Sequence, residues 1–196
     1  MFINFFLSDK SSTAVINEII ESGDGYGTSN IGAGQSILLE YVSANPTGPL
    51  HVGHGRGAAY GATVSNLLRS VGYKVDNEYY VNDAGRQMDI LSVSIFLRYL
   101  ALCGETIRFP DNGYQGKYIN DIASNIMQTY SDAFHKESAL VFEGICKDEL
   151  EGGNKESHID ELISRSKELL GEGFKSIFKV GIESILSGIK KDLAEF

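Results

Sequence analysis

Tryptophan is missing from these 196 residues, cysteine occurs twice and proline three times. The two thiols, Cys103 and Cys146, lie far apart and outside any C-x-x-C. That excludes a disulfide-stapled scaffold and a cysteine-based zinc or redox motif, and both thiols are expected to be reduced in a cytoplasmic protein. Positive charge is short as well. Seventeen Lys and Arg stand against 26 Asp and Glu, a formal charge of -9 with a sequence pI near 4.9. A surface that coats nucleic acid by charge alone is excluded, while a local basic patch is not. No apolar run approaches the roughly 20 residues of a membrane span. The opening "MFINFFLSDK" has no basic n-region and is interrupted by Asn4, so it is not read as a signal peptide. What is scarce elsewhere is concentrated in one place. Pro46, Pro49, His51 and His54 all fall within "SANPTGPLHVGHGRGAAYG", Ser43–Gly61.

The pattern along the chain alternates. "FINFFLS" (Phe2–Ser8) reads as a strand and "SSTAVINEIIES" as a short capped helix closed by Gly23. The Gly-, Ser- and Asn-rich stretch Gly23–Gln35 reads as a boundary loop. "ILLEYV" (Ile37–Val42) is a nearly continuous apolar run and predicts a strand buried on both faces, interrupted by one carboxylate, Glu40. Tyr60, Val64, Leu67 and Val71 recur at helical spacing before Gly72, "YKVDNEYYV" predicts a second strand, and Met88, Leu91, Ile95 and Tyr99 mark a second helix. Such a βαβα unit closes into a parallel sheet. After "FPDNGYQG" the pattern is helical. Ile119, Ile122, Ile126, Tyr130 and Phe134 form one stripe, Ser157 with Asp160 resembles a capping box, and Phe174, Phe178, Ile182, Ile185, Ile189 and Leu193 form a last stripe. That last helix is still amphipathic when the sequence stops, and is expected to be cut rather than finished.

His51 and His54 sit where a loop becomes a helix beyond the carboxyl end of a parallel strand, the place where open α/β sheets bind ligands. A helix start offers unpaired N–H groups and a positive dipole end, which suit a phosphate. Imidazoles at i and i+3 share one face of that turn and can donate to one phosphoryl group. Gly53 and Gly55 bare the backbone for a base or ribose, and Gly57 and Gly61 allow close packing on the sheet. Each of these glycines costs a helix about 1 kcal/mol against alanine. Two histidines make half a tetrahedral zinc site, so no protein-bound metal is expected. A dinucleotide site remains an alternative: Gly53-His54-Gly55-Arg56-Gly57-Ala58 matches G-x-G-x-x-A, with Asp76 where a ribose-binding acid falls.

The segment "LLEYVSANPTGPLHVGHGRGAAYGATVSNLLRSVGYKV" resembles the signature region of the class I aminoacyl-tRNA synthetases, specifically the arginyl family. "YYVNDAGRQMDIL" is similar to the bacterial form of that family's second-strand region, with Asn82-Asp83-Ala84-Gly85 where other members have Gly-Asp-Trp-Gly. "DNGYQGKYINDIA" and "GIKKDLAEF" also resemble it. The resemblance implies an α/β fold: the first half of a Rossmann-like parallel sheet of the catalytic domain, followed by a mainly helical insertion. It implies a tail of an appended domain with linker over 1–30, the half-domain over 31–109 and the insertion over 110–196. It also implies a fragment, expected to be inactive as an isolated chain because half of the pocket is missing: the second half of the nucleotide fold and the helical anticodon-binding domain are absent, as is any K-M-S-K-S-like loop, which some arginyl members lack in any case. The implied activity is ATP-dependent formation of arginyl-adenylate and transfer to tRNA(Arg), with arginine, ATP with its Mg2+, and tRNA as partners, in a cytoplasmic, usually monomeric family. The implied site has His51 and His54 as catalytic residues. Pro49, His51, Gly53, His54 and Gly55 would contact ATP; Glu40, Ser43, Ala44, Asn45 and His54 would contact arginine. A non-catalytic paralogue acting as an interaction module is the further alternative.

Overall fold

The structure is a computed structural model that describes residues 2–6 and 8–196. It divides into two compact units: Met1–Tyr41 with Ala59–Glu78, and Val42–Ala58 with Tyr79–Phe196.

The first unit holds α1 (Asp9–Ser22), β1 (Ser36–Glu40), most of α2 (Val52–Ser70) and β2 (Lys74–Glu78). β1 and β2 are parallel, in a register that sets Ile37 beside Val75 and Glu40 beside Glu78. Helix α2 covers this small sheet with small residues. Gly61 is buried because a β-carbon there would drive into the ring of Tyr41. Ser65 Oγ donates to Asn77 Oδ1 at 2.9 Å, and Arg69 Nη2 donates to the Val75 carbonyl at 2.8 Å. The glycine-rich loop is tied to the end of α2: Gly32 N–H donates to Val71 O at 2.8 Å and Gly34 N–H to Gly72 O at 2.9 Å.

Three expectations fail in this unit. Phe2–Phe6 and Ser8 form no strand, and Leu7 lies outside the described residues. A strand needs a neighbour for its backbone groups, and among the described residues β1 and β2 pair only with each other. β1 is not buried on both faces: Ile37 and Leu39 are half-buried while Leu38 is 63% exposed, because a two-stranded sheet under one helix is covered on one side. The buried face of α2 is not the stripe of large residues. Tyr60 and Leu67 are 74% and 62% exposed, because close helix–sheet approach selects glycine and serine.

The second unit is helical around α3 (Arg86–Leu102), whose residues from Met88 to Leu100 are buried save for half-buried Asp89 and Arg98. α4 (Lys117–Tyr130) packs Ile119, Ile122 and Ile126 into the same core, followed by the short α5 (Ser138–Val141). α6 (Lys155–Leu170) adds Ile159 and Leu162; α7 (Glu172–Leu193) adds Phe174, Ile177, Ile185 and Ile189. α7 carries Gly181 where a β-carbon would lie 2.6 Å from Ile95 Cδ1, so the glycine permits close contact with α3. Burying each such aliphatic side chain contributes about 1.5–3 kcal/mol. Tyr130 ends α4, and Phe134 lies on the turn beyond it, its ring 5.1 Å from that of Tyr130. The Ser157–Asp160 capping box does not form. Asn154 caps α6, its Oδ1 accepting from Glu156 and Ser157 N–H at 2.9 and 3.0 Å, which places Ser157 within the first turn. A capping box does occur just upstream, between Asp148 and Glu151.

Candidate functional site

The site is built within the second unit from the loop Val42–Leu50 and the first turn of α2. The loop leaves the strand through an unusual path. Val42 and Ser43 have φ of +68° and +38°, a left-handed region that a β-branched residue rarely enters. Such conformations cost of order 1–3 kcal/mol and persist where neighbours enforce them. Two neighbours in the second-strand region do so. Tyr79 Oη donates to the Ala44 carbonyl at 2.5 Å, and Tyr80 N–H donates to Ser43 Oγ at 3.0 Å. Further on, Pro46 is buried, and Tyr118 of α4 donates its hydroxyl to the Thr47 carbonyl at 2.7 Å. Gly48 makes room for that ring, since a β-carbon there would lie 3.0 Å from Tyr118 Oη. Pro49 is exposed and Leu50 packs on the core.

His51 and His54 cap α2 reciprocally. His51 Nδ1 accepts from Gly53 N–H at 3.1 Å, and His54 Nδ1 accepts from the backbone N–H of His51 at 3.2 Å. The rings stack with centroids 3.7 Å apart and planes 18° from parallel. This is the logic of a capping box, with imidazoles in place of hydroxyl and carboxylate. It corrects the picture of bare first-turn donors. Gly53 N–H is taken by an imidazole, and His54 and Gly55 N–H both donate to the His51 carbonyl. It also fixes the tautomer. A nitrogen that accepts carries no proton, so each neutral ring keeps its N–H at Nε2, free to donate to a ligand. The pKa of His54 lies below the usual histidine value, chiefly because burial disfavours the cation and secondarily because His51 is near. Gly53 serves the same arrangement: a β-carbon there would lie 3.0 Å from His51 Cε1. Gly55 and Gly57 face open space.

The other predicted residues are placed as follows. Ser43 and Ala44 are half-buried and Asn45 is exposed in the loop just described. Glu40 belongs to the first unit, at the end of β1. Its carboxylate is exposed rather than buried, since the strand is covered on one side only, and among the described residues it forms no ion pair. The dinucleotide alternative loses its geometry. Gly53, Gly55 and Gly57 lie inside α2, which starts at Val52, so they do not form a strand-to-helix turn. Among the described residues no group of three or more His, Cys, Asp or Glu is placed to hold a metal ion, and no helix is long and apolar enough to cross a membrane. Sequence reasoning missed Tyr79, Tyr118, Asn82 and Gln87 as partners of the loop. Three of them lie in the quoted "YYVNDAGRQ", so a signal existed.

Comparison with known proteins gives the class first. The family model described as tRNA synthetases class I (R), catalytic domain, matches residues 15–100. That match and the mixed α/β fold make this stretch similar to the catalytic domain of class I tRNA synthetases. Arginine–tRNA ligases of Hydrogenovibrio crunogenus and Thioalkalivibrio sulfidiphilus are 54% and 53% identical over 100% of this chain, which covers 34% and 33% of their own lengths. A crystal structure described as an arginyl-tRNA synthetase from Campylobacter jejuni matches with a TM-score of 0.63 at 30% identity, over 96% of this chain and 34% of that one. The chain is thus similar over its whole length to arginine–tRNA ligases, and spans about a third of the length of the curated relatives it matches.

Proposed function

We propose that the protein carrying this chain is a cytoplasmic arginine–tRNA ligase, with residues 31–109 supplying the first half of its nucleotide-binding domain and 110–196 a helical insertion. The reaction joins the carboxylate of arginine to the α-phosphate of ATP with loss of pyrophosphate, and the aminoacyl group then passes to the terminal ribose of tRNA(Arg). Mg2+ enters with the ATP as part of that substrate.

The observation that carries this reading is the reciprocal imidazole cap. It leaves two Nε2–H donors on stacked rings at a positive helix end. Negative charge builds on the α-phosphoryl oxygens as the carboxylate attacks, and fixed donors stabilise it without reorganising. Neither histidine acts as a base, because the attacking carboxylate is already ionised. Pro49, Gly53 and Gly55 line the nucleotide, with Gly55 offering main chain that no side chain covers. Ser43, Ala44 and Asn45 bind the backbone end of arginine, together with His54. Glu40 takes the guanidinium, for which an exposed, unpaired carboxylate is a bidentate partner.

The test is ATP–pyrophosphate exchange by the full-length protein, across all amino acids, with and without tRNA. Exchange is expected with arginine. His51→Ala and His54→Ala should each lower kcat by about 10²- to 10³-fold, as loss of a transition-state donor does, with a far smaller change in KM for arginine. Glu40→Gln should raise KM for arginine and spare that for ATP. Exchange driven by a different amino acid, or unchanged turnover in both histidine variants, would refute the reading.

A further inference from the structure

Asn45 does not stand alone in its loop. Its Nδ2–H donates to Gln87 Oε1 at 2.7 Å, and its Oδ1 accepts from Asn82 Nδ2–H at 3.1 Å. The partners are 42 and 37 residues away in sequence. Gln87 lies in the first turn of α3. There, the neighbouring Arg86 is bonded to Asp160 and Glu156 of α6 at 2.6 and 2.7 Å, and Met88 is buried in the core. Asn82 lies in the loop that follows Tyr79 and Tyr80, the two residues that hold Ser43 and Ala44.

We propose that Asn82 and Gln87 are positioning residues that fix which way the amide of Asn45 faces, and thereby how it reads the amine and carboxylate of arginine. The assignment rests on the arginine-ligase reading. A carboxamide is nearly symmetric in shape but not in chemistry: rotated by half a turn, it exchanges a donor for an acceptor. Asn45 has two N–H donors and two oxygen lone pairs. Asn82 and Gln87 each occupy one, so one N–H and one lone pair are left. One donor and one acceptor from a single group match an α-amino acid, whose carboxylate accepts and whose ammonium donates. With Gln87 as it stands, the reversed orientation would set Asn45 oxygen against Gln87 Oε1 at a separation suited only to a hydrogen bond, so the three amides turn together or not at all. Asn45, Asn82 and Gln87 are all exposed. Their bonds therefore do not fill a core.

The direction of the relay gives it a signature. In the direction shown, position 82 donates and position 87 accepts. Asn82→Asp removes the donor and sets an acceptor against Asn45 Oδ1. Gln87→Leu removes the acceptor. Gln87→Glu keeps it. Asn82→Asp and Gln87→Glu each add one negative charge beside the same amide, so a charge effect on cationic arginine would move them the same way, whereas the relay moves them apart.

The experiment measures KM for arginine, KM for ATP and kcat by pyrophosphate exchange with tRNA present, in the full-length protein. Loss of one net hydrogen bond corresponds to about a tenfold rise in KM for arginine, expected for Asn82→Asp and Gln87→Leu with KM for ATP unchanged, while Gln87→Glu recovers most of the Gln87→Leu loss. Asn82→Ala, which removes the donor without adding charge, should raise KM for arginine in the same direction and keeps the test usable if Asn82→Asp does not fold. Equal behaviour of Asn82→Asp and Gln87→Glu overturns the assignment alone, as does an unaltered KM in Asn82→Ala, with the ligase reading intact. Absence of arginine-dependent exchange in the unsubstituted protein overturns both.

Discussion

Gly55 and Gly57 sit in a helix that each of them weakens, and a β-carbon added at either would meet nothing within 4 Å. Replacing them with alanine separates stability from function. In a helix interior, glycine is less favourable than alanine by about 0.8–1.0 kcal/mol. With open space at both positions there is no clash to offset the gain, so Gly55→Ala and Gly57→Ala should each stabilise α2 by close to 1 kcal/mol. That corresponds to roughly a fivefold slower exchange of the amides in the helix if opening is local. Gly61 is the internal control. The same propensity gain applies, but the new methyl drives into the Tyr41 ring, and overpacking of that kind costs about 1–3 kcal/mol. Gly61→Ala should therefore accelerate exchange. The assay is hydrogen-exchange mass spectrometry on peptides covering Val52–Ser70 in the full-length protein, paired with KM for ATP. If the nucleotide lies on bare main chain at Gly55, Gly55→Ala raises KM for ATP while protection rises, and Gly57→Ala raises protection with no loss. Protection unchanged or lowered in Gly55→Ala would refute the geometry. Higher protection with an unaltered KM in both variants would refute the functional account of these glycines.

Two further outcomes concern the second unit. The carboxyl of Glu105 is held down to about 2 from an ordinary 4.5, first by the backbone N–H of Ser138 and then by His135. A depressed carboxyl stabilises the fold above its unfolded pKa and loses that contribution as pH falls toward the folded one, so Glu105→Gln should flatten the decline in urea midpoint between pH 4.5 and 2. Asn154→Ala should destabilise by about 1 kcal/mol, within the 0.5–2 kcal/mol span of lost N-caps, while Ser157→Ala stays close to neutral in the same denaturation assay.

The helical core was legible because its signal is local and large. Leu91, Ile95 and Tyr99 recur at the helical period and are all fully buried. The parallel pair was legible for a similar reason, since two short strands separated by one helix have few ways to pair. The misreadings share a different cause. "FINFFLS" has strand composition, yet whether a strand forms is decided by a partner that composition does not contain. The α2 stripe was read from the largest side chains, whereas contact with the sheet was made by the smallest. Ser157 competed for the cap with Asn154, which reaches two first-turn donors at once.

At the site, spacing alone placed both imidazoles on one turn, but it could not say what they do to each other. An acceptor nitrogen on each ring is satisfied by main chain within the turn, and that bond decides which nitrogen carries the proton offered outward. The amide of Asn45 poses the same question of orientation, yet its answer comes from residues about forty positions away. A periodic pattern carries no trace of such a bond, because either end is chemically unremarkable as a surface amide. Donor direction is thus decided within a single turn for the imidazoles, whose partner is main chain, and across the fold for Asn45, whose partners are side chains.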